Sequence, residues 1–541
     1  ISYTPLEKIY LDSEGFEFWA NDKTGDNYVF TVGVYADQSL STPIAENVQF
    51  GDWTDYATAN GDGTYTFNVP AAVVEALTYE KVVSVTVADA EAAEFTVTRK
   101  VLSDDQLNGI FASLEAYYDF DENLTDYVGN HETAPVRGES ASYSDREGSY
   151  SGDKALNINT VNNTVGIENL LLGTDSFTIS LDVKLDSASY AGSNAAYEIV
   201  TSTKNNDSDP CTFQLSAHGG QNRLRIQLGR NDQGFYFEGS TGKLKIDQWQ
   251  RYTLVVTRGV EFDPEHTMTN SKYDAQGNPV SSSSPAAPYV TPERITVALY
   301  LDGEYIETKS FWFTEDQSLG TGIVYLGGNL AWADKSAVVD NFMFIRKALT
   351  DYEVEGLDNY YGDIVAKYGW TAGDKVISYT DVVENETYVT TLDITKLHNE
   401  AVITGASFDG LPAGATVSED NGVYTVSISY DSLEAFVGGK TVSVTINGVT
   451  KEFTISYAPL NQLYLDTDAI TLYTTDKTGD NYEFTVGVYA DSELSVPVTG
   501  VTFAPFIASD NGDGTYNFVV PATQMESAAS HQITATKVVT D

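Results

Sequence analysis

Apolar residues recur at every second position in short runs along most of the chain, the period of half-buried strands. Val423-Tyr-Thr-Val-Ser-Ile428 and Thr441-Val-Ser-Val-Thr-Ile446 show it clearly, as do Arg223-Leu-Arg-Ile-Gln-Leu228 and Ile295-Thr-Val-Ala-Leu-Tyr-Leu301. Ser176-Phe-Thr-Ile-Ser-Leu-Asp-Val-Lys184 and Arg251-Tyr-Thr-Leu-Val-Val256 read as further strands. Asn-Gly at 60–61, 447–448 and 511–512, and Asp302-Gly303, are hairpin dipeptides, because two successive left-handed residues match the twist of the strands they join. Only Leu349 to Tyr360 reads as a short helix. The pattern predicts an all-β protein.

The runs are organised by repetition. Residues 1–44 align without gaps on 455–498 with 26 identities in the 44 positions, among them Asp22 to Tyr28 on Asp476 to Tyr482. A diverged third copy occupies about 371–457, closing with Lys451-Glu-Phe-Thr-Ile-Ser-Tyr457. About 90 residues of short strands per copy predict sandwiches of immunoglobulin-like architecture. The Cys…Trp…Cys hallmark of antibody domains is missing, so the likeness is architectural. The expected division is 1–102, 105–362, 370–457 and 458–541, the last incomplete at its C-terminus. Both chain ends fall inside repeat units, which is the expectation for a piece of a longer tandem array or for a subunit joined head to tail.

The stretch 105–362 is too long for one such unit, and its own strands predict a two-sheet jelly roll. It resembles the laminin G-like, concanavalin A-like family in its bacterial form. The residues that carry the resemblance are Ala116-Tyr-Tyr-Asp-Phe-Asp121 with Asp126-Tyr-Val-Gly-Asn-His131, Ser176-Phe-Thr-Ile-Ser180, Gln248-Trp-Gln-Arg-Tyr252, Leu299-Tyr-Leu-Asp-Gly303, Val324-Tyr-Leu-Gly-Gly328 and Val339-Asp-Asn-Phe-Met-Phe-Ile-Arg-Lys-Ala-Leu-Thr350. These six landmarks stand in the family's order over nearly half the chain; an insertion at about 261–293 departs from it. The flanking repeats resemble bacterial immunoglobulin-like domains. The expected fold is therefore a concanavalin A-like jelly-roll sandwich inserted between tandem immunoglobulin-like β-sandwiches.

Charge narrows the partners. The 541 residues hold 78 Asp and Glu against 30 Lys and Arg, a net charge of −48. Phosphate backbones and anionic lipid surfaces need a basic footprint, which excludes nucleic acid and charged membrane as expected partners. No apolar window is long enough for a membrane-spanning helix. Cys211 is the only cysteine, so no internal disulfide can form. The resemblance implies an extracellular, cell-surface adhesin-like protein in which the jelly roll binds glycan or a host or neighbour surface protein and the repeats act as spacers. The alternative is a structural subunit of a surface layer, filament or phage particle, assembled head to tail.

Candidate chemistry sits in the central stretch. The resemblance implies a structural calcium ion with Asp121, Asp126, Asn130 and Asp340 as ligands, since calcium takes six to eight hard oxygens. Asp340 is flanked by Val338, Val339 and Phe342, and a carboxylate among apolar groups needs compensation. The alternative is that Asp121 and Asp126 cap turns while Asp340 meets a backbone amide. Alternation sends Phe213, Leu215, Leu224, Ile226, Leu228, Phe235 and Phe237 to the core. Gln214, Ser216, His218, Arg223, Arg225, Gln227 and Tyr236 then share the opposite face. Residues 201–260 carry eight basic side chains against five acidic, locally +3 in this acidic chain. Arginine forks suit carboxylate or sulfate, so this face is a candidate site for an acidic or polar glycan. The plainer reading is that arginine stems cover an exposed sheet. Trp249 is expected in the core. The paired-carboxylate strand of concanavalin-fold glycoside hydrolases, the His-Glu-x-x-His zinc pattern and the Gly-x-Ser-x-Gly elbow are all missing, so no enzymatic activity is expected.

Overall fold

A computed structural model describes residues 5–129, 131–137, 140–146, 153–159, 163–170, 175–187, 196–202, 213–228, 233–268, 289–313, 323–327, 336–382, 386–398, 400–460 and 462–537. The protein is all-β and divides into two compact units, Ile1–Tyr368 and Gly369–Asp541.

The first unit opens with a small sandwich. One sheet orders Tyr10–Leu11, Asn27–Tyr35, Thr64–Pro70 and Ala57–Ala59. The other orders Gly15–Phe18, Ala93–Arg99, Glu80–Val87 and Val48–Gln49, with Gly15–Phe18 running parallel to Ala93–Arg99. Alternation drives Phe30, Phe67 and Phe95 between the sheets, and the Phe30 and Phe67 rings stack at 4.8 Å.

A larger two-sheet sandwich follows. Its seven-stranded sheet orders Thr133–Arg137, Thr164–Ile167, Val324–Leu326, Ala196–Ser202, Phe213–His218, Arg223–Leu228 and Gln233–Tyr236. Its eight-stranded sheet orders Tyr143–Asp145, Lys154–Asn159, Ser336–Ile345, Phe177–Leu185, Trp249–Phe262, Glu293–Leu301 and Glu304–Phe313, and Leu114–Tyr118 also pairs with Ser336–Ile345. The first and last strands of the domain are thus neighbours, Tyr118 facing Phe342. Alternate residues of both sheets fill one core, for example Ile179, Leu181 and Val183 against Leu215, Leu224 and Ile226. Asp302 and Gly303 turn the Glu293–Leu301/Glu304–Phe313 hairpin with φ of 51° and 80°, the two-residue geometry the dipeptide predicts.

Two helical pieces frame this sandwich. Asp104–Ser113 was not anticipated, although Ser103 and Gln106 form a capping box that marks its start. The expected helix at Leu349–Tyr360 is Asp351–Gly356, capped by Thr350 and Glu353, followed by a 3-10 turn at Leu357–Tyr360 and a further helix at Tyr361–Tyr368. Gly356 lets the first sandwich pack against this segment. A Cβ there would lie 2.6 and 2.8 Å from Trp19 ring atoms and 3.2 Å from Leu102. Around it, Tyr352 Oη donates to the Val101 carbonyl (3.1 Å), the Leu102 amide donates to Tyr360 Oη (2.9 Å), and Lys100 pairs with Glu355 over the Trp19 and Tyr352 rings.

The second unit holds two hydrophobic cores. One gathers Trp370, Tyr424, Val426, Val442, Val444 and Phe453. The other gathers Val486, Val488, Tyr516, Phe518 and Val520. Asn447-Gly448 turns the Lys440–Ile446/Val449–Ala458 hairpin with φ of 50° and 77°. Among the described residues, Thr534–Lys537 pairs only with Val501–Ala504, whereas its counterpart Glu80–Val87 lies between two strands.

Candidate functional site

In a sandwich whose inner faces are consumed by the core, polar chemistry is left to the outer faces. On the seven-stranded sheet the register sets Glu198, Ser216, Arg225 and Tyr236 in one cross-strand row, and Tyr325, Thr201, Gln214 and Gln227 in the next. His218 faces Arg223. All six residues expected to bind ligand therefore share one face, as alternation predicts.

They are not equally available. Gln214 is buried and its amide donates to Glu198; Thr201 and Ser216 are fully buried beside them. His218, Arg223, Arg225, Gln227 and Tyr236 are half-buried. The Arg223 guanidinium lies 3.7 Å from the Tyr236 ring centroid and pairs with Glu238. The His218 ring meets Tyr236 edge-on at 4.9 Å. Burial, then Arg225 and Arg223, push the His218 imidazole down to about 4, so it is neutral at physiological pH. Arg225 makes no ion pair with any described residue. Phe235 departs from expectation: it is 40% exposed and packs edge-on against Phe311 instead of entering the core, whereas Phe237 is fully buried.

The residues expected to hold calcium lie on and beside the outer face of the eight-stranded sheet. Asp126 Oδ1 accepts from the Tyr117 and Val128 amides (3.1 and 3.0 Å), as a turn cap does, and its buried Oδ2 has no hydrogen-bond partner among the described residues. Asp121 Oδ1 accepts from the Lys154 amide (2.7 Å). Asn130 lies outside the described residues, as does most of the 261–293 insertion. Asp340 accepts from the Asn341 amide (2.8 Å) and is paired with Arg146. An arginine thus stands where the resemblance implied a cation, yet burial still pushes the Asp340 carboxyl well above its ordinary range against the pull of Arg146, with Asp182 adding to the rise.

Asp119 was not singled out as a ligand from the sequence. Asp119 is buried and accepts from Tyr127 Oη; burial pushes its carboxyl up to about 7, against the pull of Tyr127, with Asp121 and Asp153 adding to the rise. Carboxylate oxygens of Asp119 and Asp121 lie within 4.8 Å of each other. Phe120 and Glu122, on either side of Asp121, hold left-handed φ of 56° and 55°. Asp119 and Asp121 thus form a close pair of hard oxygen donors, while Asp153 Oδ2 lies 3.9 Å from Arg146 Nε. The alternation of Tyr117 and Asp119 with core residues Ala116, Tyr118 and Phe120 would have flagged Asp119 as a carboxylate on a packed strand.

A buried ionic cluster adjoins this set. Asp182 accepts from Arg251 Nε (2.8 Å) and Nη2 (2.7 Å), Arg146 Nη2 (2.8 Å) and Asn341 Nδ2 (2.9 Å). Tyr117 Oη donates to Asn341 Oδ1 (2.9 Å). Arg251 stacks on Tyr361 at 3.8 Å and Arg146 lies 4.8 Å from the Trp249 ring. Trp249 is thus half-buried on the outer face and not in the core, because its strand position pairs with outward-facing Lys184.

No family model matches the chain, and no curated protein matches it by sequence. Among solved structures, it is similar to domain 4 of AbnA, a GH43 extracellular arabinanase from Geobacillus stearothermophilus in complex with arabinotriose, at 18% identity and a TM-score of 0.29, covering 45% of this chain and 98% of that one. It is also similar to the botulinum neurotoxin serotype D binding domain, at 12% identity and a TM-score of 0.31, covering 75% and 82%. The ligand-binding domain of the same serotype in complex with N-acetylneuraminic acid aligns at 11% identity and a TM-score of 0.32, covering 80% and 97%.

Proposed function

We propose that the protein is a noncatalytic, extracellular cell-surface protein whose central sandwich binds an acidic or polar glycan on the outer face of its seven-stranded sheet, the smaller sandwiches acting as spacers. Arg225 carries this reading. It is a half-buried guanidinium, centred in the row Ser216–Arg225–Tyr236, with no ion pair among the described residues of a chain of net charge −48. A carboxylate or sulfate would meet its fork bidentately. Gln227 beside it and neutral His218 supply uncharged donors and acceptors. Gln214 and Arg223 act behind this surface, the first through Glu198 and the second through Tyr236 and Glu238. The test is a glycan array of sulfated, sialylated and uronate-containing sugars on the full chain and on Arg225→Ala. Loss of one charge-assisted contact, about 1.5–3 kcal/mol, predicts roughly 10- to 100-fold weaker binding with an unchanged melt. Equal binding by both proteins, or no acidic glycan bound, would overturn the reading.

We also propose a structural calcium ion held by Asp119 and Asp121, with backbone oxygens completing the shell. Its chemistry would be to neutralise a carboxyl that burial otherwise disfavours, and so to tie Leu114–Tyr118 to the sheet. A second reading, assembly through strand pairing, is favoured by the single neighbour of Thr534–Lys537 among the described residues. Such an edge takes an added strand from another chain. Concentration-dependent mass in light scattering would support it, and a constant monomer mass would oppose it.

A further inference from the structure

The opposite face of the same sandwich carries a separate concavity. It is a pocket of about 590 Å³ on the outer face of the eight-stranded sheet, within the ~300–1,000 Å³ range of small-molecule sites. Its floor is a row fixed by register: Asn157 faces Val338, and Val338 faces Lys184, on three adjacent antiparallel strands. Leu156, Val339 and Val183, one residue along each strand, point into the core, so the floor residues point outward. One wall is Ser142 and Asn163, joined by a hydrogen bond from Asn163 Nδ2 to Ser142 Oγ (3.1 Å). The other is Asp186 and Asp247, where Asp247 Oδ1 accepts from the Ser187 amide (2.9 Å).

The donor inventory selects a ligand class. Ser142 Oγ accepts from Asn163 and, at 3.4 Å, from Asn157 Nδ2, which occupies both lone pairs and leaves its O–H as a donor. Carboxamides and hydroxyls on one wall, one ammonium on the floor and two carboxylates opposite give a lining with both donors and acceptors. Its formal charge is one cation against two anions, which disfavours sulfated or uronate ligands. The Val338 isopropyl group offers an apolar patch at the centre, suited to the C–H face of a pyranose.

We propose that this pocket is a second glycan site, for neutral hexose units, independent of the Arg225 face and opposite to it in charge preference. The two sites would let one sandwich engage a heteropolysaccharide or two chains at once. The site does not depend on the reading of the seven-stranded sheet, and the experiment keeps them apart. Saturation-transfer NMR is run on the full chain with maltotriose, cellotriose, laminaritriose and mannotriose, then on Val338→Tyr, Asn157→Ala and Arg225→Ala. Val338→Tyr fills the pocket from an outward position; melting curves check its fold, and Asn157→Ala provides the milder test. Expected are transfer to at least one trisaccharide, its loss in Val338→Tyr, weakening by roughly tenfold in Asn157→Ala, and full retention in Arg225→Ala. The proposal is overturned if none of the four sugars binds, if both pocket variants bind like the parent, or if Arg225→Ala alone abolishes the signal.

Discussion

Replacing Asp182 by Asn tests what holds the outer face of the eight-stranded sheet. Asp182 is 5% exposed, Arg251 7% and Asp340 1%, so these three are buried, while Arg146 reaches the rim with its side chain 19% exposed. Asn keeps the shape but turns one acceptor edge into a donor edge, which then faces the donors of Arg146, Arg251 or Asn341. Two guanidiniums are left with Asp340 and Asp153 for neutralisation. Removing one partner of a buried ion pair costs about 3–5 kcal/mol, since the residual charge stays desolvated. At about 2–4 °C per kcal/mol for a domain of this size, the central transition in scanning calorimetry should fall by roughly 6–20 °C. The pH dependence gives a second check. Burial raises the Asp182 carboxyl, but Arg251 and Arg146 outweigh it and hold the group below its ordinary range. A depressed folded value means the stabilisation is complete above the unfolded pKa and is lost as pH falls through the folded one. The gap between parent and variant should therefore be constant at neutral pH and shrink below about pH 4. A loss under about 1 kcal/mol, the range of solvent-exposed pairs, would refute the claim that the cluster is buried and coupled.

Three further outcomes follow from the same geometry. Gly356→Val should drive a methyl-bearing Cβ into the Trp19 ring and cost about 1–3 kcal/mol, read as lower melting and faster proteolysis at Leu102, while Gly362→Ala, with open space around it, should be silent. In NMR, His218 should titrate near 4, because Arg223 and Arg225 face it and Tyr236 covers it; its contribution to stability is full above pH 6.5 and is lost as pH falls from 6.5 toward 4, and a titration near 6.5 would contradict the burial. Millimolar calcium should raise the melting temperature of the full chain above its value in chelator, with the increment absent in Asp121→Asn, and an unchanged melt would count against the ion.

Much of the architecture was legible because it is written in period-2 alternation. Leu224, Ile226 and Leu228 point inward while Arg223, Arg225 and Gln227 point outward, as the residue order alone requires. The Asp302-Gly303 and Asn447-Gly448 turns were legible for the same local reason. Phe235 and Trp249 were not. Hydrophobicity argues for the core in both: register with Lys184 turns Trp249 outward, whereas Phe235 faces the core residue Ile226 but sits on the end strand of its sheet, and neither register nor strand order is written locally. The Asp182 cluster was equally hidden, since Arg146, Asp182, Arg251 and Asp340 meet only after four separated strands pair. Asp340 illustrates the limit most sharply: its apolar neighbours announce a carboxylate in need of compensation, and only the fold reveals that Arg146 stands beside it and that burial still outweighs the pull of Arg146.

The cluster also explains why the outer face of one sheet can serve two purposes. The helical segment Asp351–Tyr368 covers part of it, with Tyr361 over Arg251 and Tyr300 Oη donating to Asp351 (2.5 Å). The pocket of Asn157, Val338 and Lys184 is built on the same strands, one register step from Asp182 and Asp340. An apolar filling between the two would pack without fixing side-chain direction, whereas a bidentate arginine–carboxylate array has a single satisfied geometry. The position of Lys184 thus follows from that of Asp182, two residues before it on the same strand face. If the pocket binds hexose, Asp182→Asn should weaken that binding without touching any lining residue, and should leave binding at Arg225 on the other sheet unchanged.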